Sequence, residues 1–300
     1  MEIKKKNQLN NLLTTIWLIV LCLASYLIVK DLPTDFWQWE TINYTRAGLG
    51  IIMGMLFSLP LVWIMADYLA LNKLKHASLI AFVLTFLPAI AKYIPGKIWS
   101  FWGFILQAKQ TANISETDAS FFQIYAFLIG LFSSIILTFI GITLLNTFKP
   151  SPMLWQINLG AMVLLVASLI AAYLLIKLSH FFNHVINKNK ILPHLIIISL
   201  QKIGRGFSLI LFLSAFLPIK EFSFEIGMAF IIAVQMGILA FFAPAGLGVT
   251  EGAYVMLLSD QLTLVVALQI AILARLWQIS LDFLLAIFAF VFKVFWLKTD

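Results

Sequence analysis

Between Phe121 and Leu145 the sequence carries no charged side chain, and several other stretches are almost as apolar. A helix rises 1.5 Å per residue, so about 20 such residues cross a hydrocarbon core about 30 Å thick. Repeated runs of this kind restrict the chain to a helical bundle in a bilayer. Composition agrees. Charged residues make up 11% and hydrophobic residues 62% of the 300 positions, where soluble domains carry roughly 25% charged residues. The fold class expected is therefore an all-α polytopic membrane protein. Residues 1–300 read as a single transmembrane domain, with no polar block large enough for a separate soluble catalytic domain. The one cysteine, Cys22, excludes a disulfide framework and a thiolate metal cluster.

Two polar breaks interrupt the apolar runs. The first is Ala91-Lys92-Tyr93-Ile94-Pro95-Gly96-Lys97 and the second is Pro244-Ala245-Gly246-Leu247-Gly248-Val249-Thr250-Glu251-Gly252. Proline removes an amide donor and glycine releases the backbone from helical geometry, so a helix does not run undisturbed through either. The freed backbone groups have to face protein or water, not lipid. Segments 77–108 and 222–259 are thus expected as broken, re-entrant hairpins.

In chain order, the spans expected are Leu12 to Val29, Gly48 to Leu71 with a kink at Pro60, Phe121 to Leu145, Trp155 to Ile176, Pro193 to Leu217 and Leu264 to Leu297. Ala77 to Ala91 and Lys97 to Ala108 are too short to cross alone. A polar linker is expected from Lys109 to Ala119, where Glu116 and Asp118 read as solvated or helix-capping residues. The architecture is about six full transmembrane helices plus two opposed hairpins, or about eight hydrophobic segments, with an inverted repeat as one solution.

The formal net charge of +7 belongs with cytoplasmic loops, not with nucleic acid. With the amino terminus inside, the inner loops hold Lys4, Lys5, Lys6, Lys73, Lys75, Lys109, Lys177, Lys188, Lys190, Lys202, Arg205, Lys293 and Lys298. The outer loops keep Lys30, Arg46, Lys149 and Lys220. This places both termini in the cytoplasm. A bacterial cytoplasmic (inner) membrane fits the Lys- and Asn-rich loops.

Charges left at membrane depth mark the candidate site. Lys92 and Lys97 flank the first break and suit a phosphate, as flexible point charges. Arg275 and Asp282 lie two turns apart on one face of the last span. Arg275 suits a phosphate, which its planar fork binds bidentately, or Glu251 as an ion-pair partner. Thr250 reads as the cap of a half-helix beginning at Glu251, whose amide end favours an anion. Pro95, Gly96, Pro244, Gly246 and Gly248 form the backbone breaks. Asp282, Asp67 and Thr250 are the candidates for coupling or gating. Tyr93, Trp99 and Trp102 read either as headgroup-cleft aromatics or as packing residues. The histidines read as loop residues without metal-ligand spacing, so neither a metal nor another cofactor is expected. Gly50 and Gly54 have small-xxx-small spacing, a helix-contact pattern of low specificity.

The two breaks, with Trp99 after the first and Arg275-Leu276 after the second, resemble the transmembrane region of lysylphosphatidylglycerol synthases. The same region occurs alone in a family of flippase-like membrane proteins. The resemblance extends over almost the whole chain. Thr250 stands where that family usually has a basic residue, and Trp102-Gly103-Phe104 stands where an arginine is common. The resemblance implies lipid handling. Without the soluble domain of the bifunctional relatives, aminoacyl transfer is not expected. The leading expectation is translocation of a phosphate-bearing lipid or lipid-linked headgroup, with a membrane lipid as partner, alongside envelope biosynthesis enzymes as candidate partners. It would run on an ion gradient, the membrane potential or downhill lipid flow. The alternatives are an intramembrane enzyme acting on a lipid phosphate or glycan, a small-solute permease, and an envelope-assembly subunit.

Overall fold

The computed structural model describes residues 42–71, 77–93, 98–148, 162, 166, 188–217, 223–239, 246–259 and 262–296. The expected spans Leu12 to Val29 and Trp155 to Ile176 lie outside the described residues, apart from positions 162 and 166. So do Pro95, Gly96, Lys97 and Pro244.

The elements are α1 (Tyr44–Leu56), α2 (Pro60–Leu71), α3 (Ala77–Phe86), a 3-10 helix at Pro88–Tyr93, α4 (Ile98–Ala112), α5 (Glu116–Phe148), a 3-10 turn at Lys188–Lys190, α6 (Ile191–Leu213), α7 (Ser223–Leu239), α8 (Val249–Leu258) and α9 (Leu264–Trp296). Among the described residues, four stretches are long and apolar enough to cross a membrane: Tyr44–Ala70, Glu116–Leu144, Ile191–Leu213 and Leu264–Phe295. The distribution of side chains is the reverse of a soluble protein. Phe207, Leu200, Trp63 and Phe295 are each more than half exposed, whereas Arg275, Asp282, Gln235 and His194 are buried. An apolar exterior over a partly polar interior is what a lipid solvent selects.

Local chemistry sets the breaks. Pro60 has no amide to close a bond to Leu56, so the helix tightens through Phe57–Leu59, where the Leu59 amide reaches the Leu56 carbonyl at 3.1 Å. Pro60 then opens α2, where its missing donor costs nothing. The first break comes earlier than the sequence suggested. Helix α3 ends at Phe86, not Ala91, because Pro88 already stops it, and the chain tightens into the 3-10 helix that carries Lys92 and Tyr93.

Three expectations on connections are corrected. The polar linker expected from Lys109 to Ala119 is only a turn: α4 continues to Ala112, Asn113 takes a positive φ of 51°, and α5 begins at Glu116. Ser115 caps that start, its hydroxyl accepting the Asp118 amide at 3.1 Å. Lys202, Arg205 and His194, read as cytoplasmic loop residues, lie within the continuous helix α6. Pro193 is tolerated there because it sits in the first turn. From sequence, Gly204 and Gly206 read as soft points near the entry to the span Pro193 to Leu217; in the structure both are buried helix residues. A Cβ at Gly204 would stand 2.2 Å from the Phe57 ring, so this glycine allows close approach to the α1–α2 turn and does not loosen the helix.

Two large apolar cores form, beside a small third cluster of Phe86, Leu285 and Ala289. Helices α2, α3, α4 and α5 build one around Leu69, Leu84 and Phe104, with Ile198 of α6 joining it. Helices α6, α7, α8 and α9 build the other around Leu213, Ile226, Ile270 and Trp277. The Gly50/Gly54 pair has a definite use. A Cβ at Gly50 would fall 2.7 Å from Phe212, and one at Gly54 2.7 Å from Leu281. The bare backbone lets α6 and α9 close on α1, and the Trp277 indole then donates to the Gly50 carbonyl at 3.2 Å.

A close approach also forms between α7 and the second break. A Cβ on Gly237 would lie 2.1 Å from Thr250 Oγ1, and Gly246 lies immediately behind it. Alanine is ordinarily the better helix residue, yet Gly237→Ala is expected to destabilise by about 1–3 kcal/mol through overpacking. Gly252→Ala on α8, with nothing within 4 Å, is expected to be neutral or to stabilise by up to about 1 kcal/mol. Thermal melting of the two variants in detergent checks this, and equal behaviour would show that the approach is not as close as the backbone indicates.

Candidate functional site

Helix α8 starts at Gly248, whose φ of 81° only glycine adopts without strain; Gly246, with φ 76°, is in the same region. Thr250 is not the cap, as expected; it lies inside the first turn, buried against Gly237. Glu251 has the capping role instead. Its Oε2 accepts the Gly248 amide at 2.7 Å. The amide end expected to attract an external anion therefore already holds an internal carboxylate, placed where the helix dipole favours it.

The other oxygen of Glu251 faces Arg275 on α9, with Nε–Oε1 at 3.3 Å. Arg275 is 8% exposed. The pairing weighed from sequence is thus present, and it ties the second break to α9.

Two turns along, Asp282 makes the corresponding tie to the first break. Its Oδ2 receives Lys92 Nζ at 2.6 Å and the Tyr93 hydroxyl at 2.6 Å. The Tyr93 ring lies between the two pairs. The Lys92 ammonium stands 5.3 Å and the Arg275 guanidinium 6.0 Å from its centroid, both within cation–π range. One face of α9 therefore carries a buried polar patch that unites both breaks. Lys92, Tyr93, Glu251, Arg275 and Asp282 are brought together. Trp99 and Trp102 are not; both are exposed on the outside of α4.

Arg205 was missed. Helix α6 carries its guanidinium to 5.4 Å from the Trp277 ring, close enough to act electrostatically on Asp282, Tyr93 and Tyr254. The charge was counted with the inner loops, although the position falls inside the expected span Pro193 to Leu217. The apolar residues on both sides of Lys202 and Arg205 were the signal for a helix that buries them.

Asp67 lies elsewhere. Its Oδ2 is 3.1 Å from His194 Nε2 and 3.2 Å from Lys190 Nζ. His194 Nδ1 is 2.7 Å from the Tyr125 hydroxyl. This chain of contacts joins α2, α5 and the start of α6, and it corrects the reading of His194 as a loop residue. Asp67 also borders an open cleft of about 840 Å³ between α2, α3 and Phe292, lined by Trp63, Leu79 and Phe82. On the neighbouring α5–α6 seam, Lys202 donates to the Gly130 carbonyl and to Ser134. Among the described residues no group of three His, Cys, Asp or Glu side chains could hold a metal ion.

Removing one member of a buried ion pair strands the other and costs about 3–5 kcal/mol, whereas removing both is far less costly. Arg275→Gln alone is thus expected to destabilise markedly, and Arg275→Gln with Glu251→Gln is expected to recover most of the loss. A double-mutant cycle read by thermal melting measures the coupling; additive losses would mean that the two side chains do not meet.

No protein-family model, no curated protein and no solved structure matches the chain.

Proposed function

We propose that this protein moves a phosphate-bearing lipid, or a lipid-linked headgroup, between the leaflets of a bacterial inner membrane. The observation that carries the reading is the polar patch on α9, where Lys92–Asp282 and Glu251–Arg275 join two backbone breaks inside an otherwise apolar protein. Buried charge at membrane depth is costly and is kept where a pathway needs it. Broken helices meeting near the midplane are how many transporters build a substrate site. The resemblance to the lysylphosphatidylglycerol synthase transmembrane region and its standalone flippase-like relatives supports the same reading.

In this reading the chain has six full spans and two re-entrant hairpins, 77–108 and 222–259. The two ion pairs are gates. Each cation is held by a carboxylate in the resting state, and the headgroup phosphate replaces a carboxylate as one hairpin rocks against the other. The acyl or prenyl tails stay in the surrounding lipid, against the exposed apolar faces of α6 and α9. Because partner exchange leaves no charge stranded, the barrier stays below that of opening a bare buried pair.

The test is leaflet-resolved scrambling in liposomes, using fluorescent phospholipids and polyprenyl phosphates. The comparison variant is Arg275→Gln with Glu251→Gln, which neutralises the pair without stranding a charge. Movement of one lipid class is expected from the native protein, falling at least about tenfold in the double variant; a loss of 1.4 kcal/mol of differential binding suffices for that. No movement of any lipid from folded native protein would reject the reading. A chemically altered lipid would point to an intramembrane enzyme instead.

A further inference from the structure

Of the three cations expected to meet the phosphate, Lys97 lies outside the described residues and the other two are already matched by carboxylates: Lys92 by Asp282, and Arg275 by Glu251. What remains is a set of unmet donors a little to one side. Arg205 Nε and Nη2 are buried and make no hydrogen bond. The Tyr254 hydroxyl is likewise buried without a partner, on a residue only 2% exposed. Tyr254 lies three residues after Glu251 on α8, hence on the same helical face. Arg205 lies over the ring of Trp277, two residues along α9 from the Arg275 that Glu251 faces.

Such groups are costly to leave unmet. A buried hydroxyl without a partner and a guanidinium with two unmet N–H groups each carry a desolvation penalty. Native proteins satisfy nearly all such groups, and exceptions call for a ligand or another reason. These unmet groups act as donors, so what completes them is an acceptor. The charge count fixes its sign. Among the described residues of this cluster, Lys92 and Arg275 are matched by Asp282 and Glu251, and Arg205 over the Trp277 ring adds one positive charge in excess.

We propose that Arg205 and Tyr254 form an oxyanion subsite that binds the singly charged phosphate of a phosphodiester, with the guanidinium and the hydroxyl donating to its non-bridging oxygens. One excess positive charge matches a monoanion. A phosphate monoester or pyrophosphate carries more negative charge and would leave some of it unmatched in the interior. The assignment rests on the lipid-translocation reading for the source of the phosphodiester, but not for the subsite itself. It also gives the two ion pairs a clearer role: they close around a headgroup that Arg205 has already captured.

The experiment measures binding, not transport. Purified native protein in an uncharged detergent is titrated with dihexanoyl-phosphatidylglycerol, with its deacylated headgroup diester, and with inorganic phosphate. Binding is read by calorimetry and by ligand-induced thermal stabilisation. Native protein should bind the lipid or both diesters in preference to inorganic phosphate. Binding of the lipid alone would name a lipid source, and equal binding of the deacylated diester would show that the headgroup suffices. Arg205→Gln should weaken that binding at least about tenfold, and Tyr254→Phe by about five- to tenfold, as expected for hydrogen bonds to a charged group.

A structural role is separated by the ligand-free protein. Removing an unmet hydroxyl in Tyr254→Phe should leave the melting temperature unchanged or raise it, while the stabilisation by ligand shrinks. A lower ligand-free melting temperature in that variant, wild-type binding in both variants, or no binding of either diester would each overturn the subsite. Diester binding without lipid movement in liposomes would leave the subsite standing and remove the transport reading.

Discussion

An ion pair inside a membrane protein is stable only while both partners stay in place, and two such pairs hold this structure together at its weakest points. Lys92 and Glu251 come from segments where proline and glycine have already broken the helix. Neither segment can rely on continuous backbone bonding, so each is fastened by charge to α9. Asp282 receives both Lys92 and Tyr93. Glu251 binds the Gly248 amide with one oxygen and faces Arg275 with the other. The cost of burying Arg275 and Asp282 is offset by pairing them with the half-buried Glu251 and Lys92, and the geometry of the breaks follows from where α9 offers partners.

The same constraint explains the packing around the patch. For α9 to reach both breaks, neighbouring helices must come close to it. Gly50 and Gly54 permit this on α1, and Gly237 permits it where α7 meets Thr250. Trp277 fills the space so created, donating to Gly50 on one side, with Phe230 at its edge and Arg205 over its ring. Small residues and one large aromatic thus take the place of the hydrophobic driving force, which is absent between helices in lipid.

Much of this was legible in the sequence. The membrane class followed from apolar run length, and the final span from Leu264 onward was placed to within a residue of its end. Placing Arg275 and Asp282 on one face needed only helical periodicity. Glu251 and Arg275 were weighed as partners because each was costly alone. The details that failed have physical causes. Pro95 and Gly96 drew attention from Pro88, which acts first. Thr250 has the chemistry of a cap, but Gly248 can take the required φ and Glu251 reaches back to its amide. Lys202, Arg205 and His194 fall inside the expected span Pro193 to Leu217, but the lysines that precede them led them to be counted with the inner loops. What holds Lys202 and His194 is the other helices: Ser134 and Gly130 accept from Lys202, while Tyr125 and Asp67 lie within hydrogen-bond distance of the two His194 ring nitrogens. A single chain's local pattern does not reveal partners that tertiary packing brings from more than sixty residues away.

The central claim is that Lys92 and Asp282 are in direct contact, since that contact joins the first break to α9. Dicyclohexylcarbodiimide, an apolar reagent that enters membranes, activates a buried carboxylate and lets an adjacent amine displace the activating group to form an amide. Treated protein would be digested and its peptides sequenced by mass spectrometry. At the observed 2.6 Å separation, the account predicts an amide between the Lys92 and Asp282 peptides. Asp282 recovered as the rearranged N-acylurea, with Lys92 unmodified, would show that the carboxylate reacted with no amine in reach, and would contradict it.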